Sequence, residues 1–383
     1  MDEDADRSLY ARIDRLPTAR FVGKSDRLFN RHRGGKLRMS ASLPINTNQV
    51  LRDIYTPGVA RVCLAIRDRP ECAWDFTSLG HTVAVITNGT AILGLGDIGA
   101  LAGLPVMEGK AARFASLVGI NGIPILIDAK DPARVVDLIV GIEASFGAIQ
   151  LEDFAAPACF EIEAELRRRL RKPVLHDDQH GTAVVVLAAL HNAARRTGQR
   201  LEDCVIGQIG LGAAGLGIVR LLRAHSGARV LGADRSEAAL ARCAALGGER
   251  ATLAGIMQAC DIVIAATGVR GLIPPELVRP DQVILALSNP DPEIEPSVAR
   301  EHGAAFAADG KGINNVLGFP GLFKGALEAR AAEFTDRMLM AAARCIADLA
   351  TGTEMVPDAL DRGVHAAVTA AVRAAAPGTP AAV

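Results

Sequence analysis

Residues 204–234, CVIGQIGLGAAGLGIVRLLRAHSGARVLGAD, constrain the fold more than any other segment of this 383-residue chain. The apolar residues before the glycines predict a strand, and the residues after them predict a helix and a second strand. Two strands joined through a helix form a right-handed parallel βαβ unit. The segment therefore predicts an α/β fold built on a parallel sheet.

Three glycines of this segment, Gly210, Gly212 and Gly215, form the pattern GxGxxG between the strand and the helix. The first glycine permits a tight turn, the second lets the backbone approach a pyrophosphate, and the third lets helix and strand pack closely. Ala213 and Ala214 complete the loop, where the helix N-terminus offers N–H groups to phosphate. The loop predicts a dinucleotide site in a Rossmann-type, doubly wound domain.

Asp234 ends the second strand, 19 residues after Gly215. A carboxylate at this place can accept a hydrogen bond from the ribose 2′-hydroxyl of NAD, whereas an arginine beside it, here Arg235, can face the 2′-phosphate of NADP. We therefore expect NAD as the cofactor, with NADP as the alternative.

Two further apolar segments, GAIQLED and KPVLHDD, end in acids and are separated by a predicted helix. As neighbouring parallel strands they would bring Glu152, Asp153, Asp177 and Asp178 to the sheet edge where ligands bind. Four carboxylates without cations repel one another, and ligation by oxygen alone favours Mg²⁺ or Mn²⁺. The alternative is that one pair caps a helix and the other is solvated.

The remaining pattern divides the chain into two predicted domains, residues 1–183 and 184–383. In the first, VAVIT and AILGLG predict two β segments joined at a turn, and a later helix begins with Asp131 as its N-cap. A helix is predicted to follow HDDQHGT, and short strands are predicted at IVIAAT and VILALSN. Residues 1–40 predict a helical or irregular arm that contacts another subunit.

The charge balance excludes several classes of protein. The 42 basic and 43 acidic side chains leave a formal charge of −1, which argues against a generic nucleic-acid or anionic-membrane binder. The acidic start does not resemble a signal peptide, and we expect no membrane span. Seven cysteines without a CxxC pattern predict reduced thiols in a cytoplasmic enzyme.

Four other residues have ordinary interpretations when each is taken alone. A lysine such as Lys110 is normally a solvated helix residue, and it acts as a base only where burial and a nearby cation lower its pKa. Tyr55 lies in a turn, DIYTPGV, where a tyrosine usually packs on the surface. His176 and His180 lack a third soft ligand for zinc, so we expect them to form hydrogen bonds.

Together, seven motifs occur in order over residues 40–350: YTPGVA, VITNGTAILGLGDIG, GLPVMEGKA, LEDFAAPACFEIE, PVLHDDQHGTA, ALSNPDPEI and NNVLGFPGLFKGAL. This set resembles the malic enzyme family, in its small bacterial and archaeal type. The resemblance implies an N-terminal malate-binding domain and a Rossmann-type NAD(P) domain. It implies oxidative decarboxylation of L-malate to pyruvate and CO₂ with Mg²⁺ or Mn²⁺.

When the family's residue roles are assigned to this chain motif by motif, the resemblance implies that Tyr55 is the general acid and Lys110 the general base. Asp177 matches a neighbouring acid that orients Lys110 or transfers protons. The resemblance also implies three carboxylate ligands for the cation: Glu152, Asp153 and Asp178.

Asn289 matches a position that contacts malate and the nicotinamide ribose, as does either Asn314 or Asn315. Two residues depart from the family pattern: Asn88 stands where many members have aspartate, and Ala91 where the larger type has an arginine for a substrate carboxylate. The cation that replaces this arginine could come from three residues: Lys36, Arg52 or Arg61.

Two other functions are compatible with the same residues. One is a malolactic reaction, in which malate becomes lactate and the cofactor is retained. The other is a catalytically silent subunit that binds nucleotide. By analogy with the family we expect a homodimer or a larger homo-oligomer.

Overall fold

The computed structural model describes residues 27–92, 95–352 and 354–378. The chain divides into two compact units, residues 1–37 and residues 38–383. The described part of the first unit contains one short helix, α1 (Arg27–His32), none of whose residues is buried. Most of the arm expected from the sequence, residues 1–26, lies outside the described residues.

The second unit begins with three short helices: α2 (Asn48–Ile54), α3 (Val59–Asp68) and α4 (Ala73–Phe76). Neither α2 nor α3 has a buried residue. Their apolar residues Leu51 and Leu64 are 47% and 48% exposed. A helix that exposes its apolar residues in this way commonly packs against a partner.

A four-stranded parallel sheet follows, in the order β2–β1–β3–β4. Its strands are β1 (Thr82–Thr87), β2 (Asn121–Leu126), β3 (Ala148–Leu151) and β4 (Val174–His176). β3 pairs with both β1 and β4, so Leu151 lies beside His176 where the two strands end. The prediction that GAIQLED and KPVLHDD form neighbouring parallel strands is confirmed.

Three helices connect these strands: α5 (Ala100–Arg113), α6 (Pro132–Ile142) and α7 (Ala158–Arg169). The predicted start of α6 is confirmed, because the Asp131 side chain accepts a hydrogen bond of 2.8 Å from the Arg134 N–H. The N-cap carboxylate thus pairs with a donor that has no acceptor inside the helix.

The predicted second β segment at AILGLG is wrong. In the described part of this segment there is only an isolated antiparallel bridge between Ile92 and Gly96, while Leu93 and Gly94 lie outside the described residues. Instead of pairing as a strand, the Ala91 N–H donates to the carbonyl oxygen of Asp153 at 3.0 Å. Gly96, the last residue of the segment, has a positive φ angle of 76°, which a strand does not accommodate.

Helix α8 (Asp177–Thr197) follows β4 directly and leads to the second sheet. The sequence predicted a helix only after HDDQHGT, but α8 already includes Asp177 and Asp178 in its first turn. Acidic side chains are favourable there because they face the free N–H groups of the helix N-terminus. The predicted boundary between residues 183 and 184 falls inside α8 and stays a prediction.

The second sheet has six parallel strands in the order β10–β9–β8–β5–β6–β7. These strands are β5 (Val205–Ile209), β6 (Arg229–Ala233), β7 (Glu249–Arg250), β8 (Ile262–Ala265), β9 (Val283–Ala286) and β10 (Phe306–Asp309). The strand order reverses at β5, which pairs with both β6 and β8. Ligands of open α/β sheets bind at such a reversal, beyond the carboxyl ends of the strands.

Four helices accompany this sheet: α9 (Ala213–Ser226), α10 (Glu237–Ala245), α11 (Leu253–Ala259) and α12 (Pro296–Glu301). Helix α9 packs closely against α8, since a Cβ placed on Gly217 would lie 2.3 Å from the carbonyl oxygen of Gln179. Three helices follow: α13 (Phe319–Glu328), α14 (Asp336–Leu349) and α15 (Arg362–Ala375). The α/β fold with two parallel sheets is confirmed.

All seven cysteines are free thiols. In the described ranges, none of the helices has the length and apolar character needed to cross a membrane.

Candidate active site

The carboxyl ends of β3 and β4 bring three acids together. Glu152 and Asp153 follow β3, and Asp178 lies in the first turn of α8. One carboxylate oxygen from each of these residues lies within 4.8 Å of the others. Glu152 and Asp153 are buried, and the Asp153 N–H donates to Asp178 Oδ2 at 2.9 Å. The donor set, three converging carboxylates, fits Mg²⁺ or Mn²⁺.

The backbone and neighbours of this cluster hold the acids in place. Asp153 has a φ angle of 56°, which is uncommon for a residue with a side chain. The buried Gln150 donates to Glu152 Oε2 at 2.7 Å. His176 Nε2 lies 3.1 Å from Asp178 Oδ2. Residues held in this way are pre-positioned for a ligand.

The pKa values of these carboxyl groups respond to burial and to mutual repulsion. Burial raises the pKa of Glu152 well above its ordinary value, and Asp178, Asp177 and Asp153 raise it further, although Lys110 opposes this. Burial likewise raises the pKa of Asp177. Burial acts on Asp178 in the same direction, but His176, Lys110 and the Asp153 N–H together lower its pKa. A bound cation would relieve this repulsion.

Lys110 lies on α5 and contacts the acids of the cluster. Its Nζ is 2.9 Å from Glu152 Oε1, forms an ion pair with Asp177, and lies 4.5 Å from the centre of the Phe319 ring. Burial disfavours the ammonium ion, but Asp177 and Glu152 together raise the Lys110 pKa above its ordinary value. Without a metal the amine therefore carries its proton.

The two adjacent asparagines have different environments. Asn315 Nδ2 donates to Asp177 Oδ2 at 2.8 Å, so this side chain joins the group around Lys110. Asn314 is exposed, and its side chain accepts from the Val316 N–H at 3.0 Å. Asn289 is exposed shortly after β9. Of the asparagines singled out from the sequence, only Asn315 is seen to contact the acids within the described residues.

Tyr55 does not lie in this cluster. It follows α2 and is 68% exposed, and within the described ranges no hydrogen bond connects its side chain to Lys110 or to the acids. Arg52 and Arg61 are also exposed, on α2 and α3. Lys36 lies in the first unit. The roles predicted for these four residues stay predictions.

The two departures from the family pattern, Asn88 and Ala91, have different contacts: the Ala91 N–H donates to the Asp153 carbonyl oxygen, whereas Asn88 bonds to other loops. Asn88 Nδ2 donates to the carbonyl oxygen of Ala129 at 3.1 Å, and its Oδ1 accepts from Thr90 Oγ1 at 2.7 Å. The Ala155 N–H in turn donates to Thr90 Oγ1 at 3.0 Å. Asn88 thus connects the loops around Asp153.

Sequence reasoning missed Glu163, which is buried on α7. Its carboxylate accepts from His180 Nε2 at 2.9 Å, from Gln179 Nε2 at 3.0 Å and from the His176 N–H at 3.2 Å. The hydrogen-bonding role expected for His176 and His180 agrees with these contacts. A signal was present, because Glu163 lies at helical spacing among Cys159, Ile162 and Leu166, which are all buried.

The glycine loop has the geometry that a dinucleotide requires. Gly210 has a φ angle of 85°, and a Cβ there would lie 2.4 Å from the carbonyl oxygen of Ala266. A Cβ on Gly215 would lie 2.0 Å from the Gly210 carbonyl oxygen, whereas a Cβ on Gly212 would meet nothing within 4 Å. Helix α9 begins at Ala213, and its first two alanines are half-buried. The space beside Gly212 is therefore open to a ligand.

Asp234 connects the end of β6 to this loop. Its Oδ2 accepts from the Leu211 N–H at 2.7 Å, and its Oδ1 accepts from the Ser236 N–H at 2.8 Å. Arg235 beside it is exposed. A second buried acid, Glu293, accepts from Thr267 Oγ1 at 2.8 Å and from Ser288 Oγ, and sequence reasoning did not single it out.

Comparison with known proteins agrees with this geometry. Two family models match the chain: the malic enzyme N-terminal domain over residues 34–135, and the malic enzyme NAD-binding domain over residues 179–243 and 308–376. The crystal structure of an NAD-dependent malic enzyme from Thermotoga maritima is similar, with a TM-score of 0.85 and 36% identity, over 91% of this chain and 99% of that one.

Curated relatives cover most of the same length. NAD-dependent malic enzyme 1 of Bacillus subtilis is 52% identical, over 92% of this chain and 80% of the relative. The bifunctional malic/malolactic enzyme of the same organism is 37% identical, over 89% of this chain and 90% of the relative. Matches of this extent, on a chain with these two sheets, show that the protein belongs to the malic enzyme family.

Proposed function

We propose that this protein catalyses the oxidative decarboxylation of L-malate to pyruvate and CO₂, with reduction of NAD and with Mg²⁺ or Mn²⁺ held by Glu152, Asp153 and Asp178. The observation that carries the proposal is the 2.9 Å contact between Lys110 Nζ and Glu152. It puts an amine that can exchange a proton beside a carboxylate cluster suited to a divalent cation.

A cation held by these three carboxylates would supply charge stabilisation to the substrate oxygens and to the product of CO₂ loss, and the nicotinamide would supply the hydride acceptor for C2. Lys110 Nζ takes the proton of the C2 hydroxyl. Asp177 and Asn315 orient the amine, because Asp177 contacts both of them. Tyr55 then donates a proton to C3 to give pyruvate.

Lys110 must lose its own proton before it can act as a base. In the metal-free site Asp177 and Glu152 keep this amine charged. If Glu152 also held a divalent cation, its attraction for the amine would be weaker and a second positive charge would lie near, and both effects would lower the pKa of Lys110.

We further propose that two copies of the chain form a homodimer, or part of a larger homo-oligomer, and that Tyr55 completes the site of the partner subunit. The support is the exposure of Tyr55 between two helices, α2 and α3, neither of which has a buried residue in its own chain. This surface suits a symmetric contact.

Mixing two inactive variants tests this arrangement. If each site combines Lys110 of one chain with Tyr55 of the other, randomly mixed dimers of Lys110→Ala and Tyr55→Phe regain about a quarter of wild-type activity, because half are hybrids with one intact site. If both residues come from one chain, no hybrid has an intact site and activity stays at the level of the variants.

NAD is the proposed cofactor because Asp234 already lies beside the glycine loop, where its carboxylate can exchange a backbone contact for a ribose hydroxyl. NADP would need Arg235 to turn toward a 2′-phosphate. The free thiols of the seven cysteines support a cytoplasmic location.

A malolactic reaction is the second candidate, since the matched bifunctional malic/malolactic enzyme covers most of this chain. The same residues would serve, with the cofactor retained between two hydride transfers. Lactate that forms without a net change in NADH would favour this candidate.

The deciding experiment follows absorbance at 340 nm with L-malate and Mn²⁺, in parallel with NAD and NADP and with or without EDTA. We expect an EDTA-sensitive rise that is faster with NAD, and pyruvate as the product. A faster rise with NADP would contradict the cofactor assignment. Normal turnover by Lys110→Ala would contradict the assigned base.

A further inference from the structure

A cavity of about 380 Å³ lies between helices α7, α8, α9 and α10, outside the carboxylate cluster and the glycine loop. One part of its wall is apolar, formed by Phe160, Leu216 and Leu246. The size suits a small organic molecule.

Three arginines also line this cavity: Arg167, Arg220 and Arg242. In the described part of the chain Arg242 has no carboxylate within ion-pair distance, and its guanidinium lies 5.5 Å from the centre of the Phe160 ring. Arg220 forms an ion pair with Asp336 at 2.5 Å, but its Nε is buried and makes no hydrogen bond among the described residues.

The acid in the wall does not pair with any of these arginines. Glu163 also lines the cavity, but its carboxylate already accepts hydrogen bonds from His180, Gln179 and the His176 backbone. Since Arg167 also pairs with Glu333 at 3.6 Å, Arg242 is the lining arginine without an ion pair among the described residues, and it lies beside an apolar wall.

We propose that this cavity is an effector site for a small organic anion with a flat apolar body and a phosphate or carboxylate group. The guanidinium groups of Arg220 and Arg242 bind the anionic group, because planar donors suit both oxyanions. Phe160 and Leu216 contact the apolar body.

A chain of close polar contacts connects the cavity with the carboxylate cluster. Gln179, in the cavity wall, lies with its Nε2 2.9 Å from His176 Nδ1. The other ring nitrogen of His176 lies 3.1 Å from Asp178 Oδ2. A ligand against Gln179 and Glu163 thus contacts the side chains that orient Asp178, and it changes the affinity for Mn²⁺. This coupling rests on the proposed metal site, whereas binding in the cavity does not.

Calorimetric titration of the metal-free, NAD-free protein with phenyl phosphate tests the binding. Inorganic phosphate supplies the charge without the ring, and phenol supplies the ring without the charge. We expect both to bind at least about tenfold more weakly than phenyl phosphate, because each satisfies half of the cavity.

Two variants locate the site. Arg242→Gln removes a charge that holds no ion pair, and Ala164→Phe fills the cavity from an exposed position on α7; each should weaken binding about tenfold or more. Arg168→Gln is the control, since Arg168 lies on the same helix, is exposed and pairs with Glu165. Equal affinity in all four proteins, or no binding to the wild type, would overturn the site.

The coupling is measured as the Mn²⁺ dissociation constant with and without phenyl phosphate. We expect at least a twofold change in the wild type and none in Ala164→Phe, which also controls for Mn²⁺ bound by phenyl phosphate itself. Binding that leaves the Mn²⁺ affinity unchanged would overturn the effector role. Failure of the metal site would be distinct, because Mn²⁺ would then bind to neither protein.

Discussion

Replacement of Glu163 by glutamine should destabilise the protein in a way that depends on pH. The side chain is buried and keeps its shape in Glu163→Gln, but it loses the charge that faces His180. Burial alone would raise the pKa of Glu163, yet His180 and the other donors lower it to about 2. A difference of one between the folded and unfolded pKa corresponds to about 1.4 kcal/mol.

The magnitude follows from the difference between the folded and unfolded pKa values, about 2 and 4.5. Since the folded value is the lower one, the carboxylate contributes its stability above pH 4.5 and loses it as the pH falls toward 2. We expect the variant to be less stable by about 3 kcal/mol at pH 7 and by about 2 kcal/mol at pH 3.5.

Urea unfolding followed by circular dichroism at 222 nm gives both values. Glu161→Gln is the matched control, because Glu161 is exposed on the same helix, and it should behave like the wild type. Two results would refute the reasoning: a Glu163→Gln variant as stable as the control at pH 7, or a loss that is the same at both pH values.

Other predictions concern the two sites and a histidine. Lys110→Ala should lower turnover about 10²- to 10⁴-fold without weakening Mn²⁺ binding in calorimetry, because its ammonium competes for Glu152; weaker Mn²⁺ binding would contradict this. Gly212→Ala should weaken NAD binding in fluorescence titrations with little change in Tm. Gly215→Ala should lower both the NAD affinity and the Tm, since its Cβ would lie 2.0 Å from a backbone oxygen. A Gly215→Ala variant with the Tm of Gly212→Ala would argue against this close contact. Burial and neighbouring charges lower the pKa of His191 to about 4. The folded protein therefore keeps its full stability above pH 6.5, where the imidazole is neutral in both states, and loses stability as the pH falls toward 4. His191→Phe should therefore lose less stability than the wild type between pH 7 and 4.5, by roughly 1 kcal/mol after solvent screening, and equal losses in thermal melts would refute it.

The parts of the fold that depend on local pattern could be predicted from the sequence. The apolar residues before Glu152 and Asp177 predicted two neighbouring parallel strands, and the structure has them. The sequence also predicted Asp131 as the N-cap of α6, where its side chain accepts a backbone hydrogen bond. The glycine pattern gave the strand, turn and helix around Gly210. Each of these depends on residues that are close together along the chain.

Contacts between distant segments could not be predicted in this way. The AILGLG segment has strand-like residues, but Ala91 bonds to Asp153 in another loop instead of to a strand. The choice of Asn315 over Asn314 depends on the packing of residues 138 positions apart. The helical spacing of Glu163 indicates that it is buried, but its donors His180 and Gln179 come from another helix, α8, and could not be predicted from that spacing.

The close contact of Gly217 with Gln179 has a consequence for how this chain can change. Gln179 comes directly after Asp178, and Gly217 lies in the helix that begins at the dinucleotide loop, so two backbones in contact fix the separation of the two candidate sites. A methyl group at Gly217 would push them apart. The dinucleotide domain therefore cannot be exchanged as an independent module. A chimaera that replaces it needs a glycine at the position of Gly217, where α9 contacts α8.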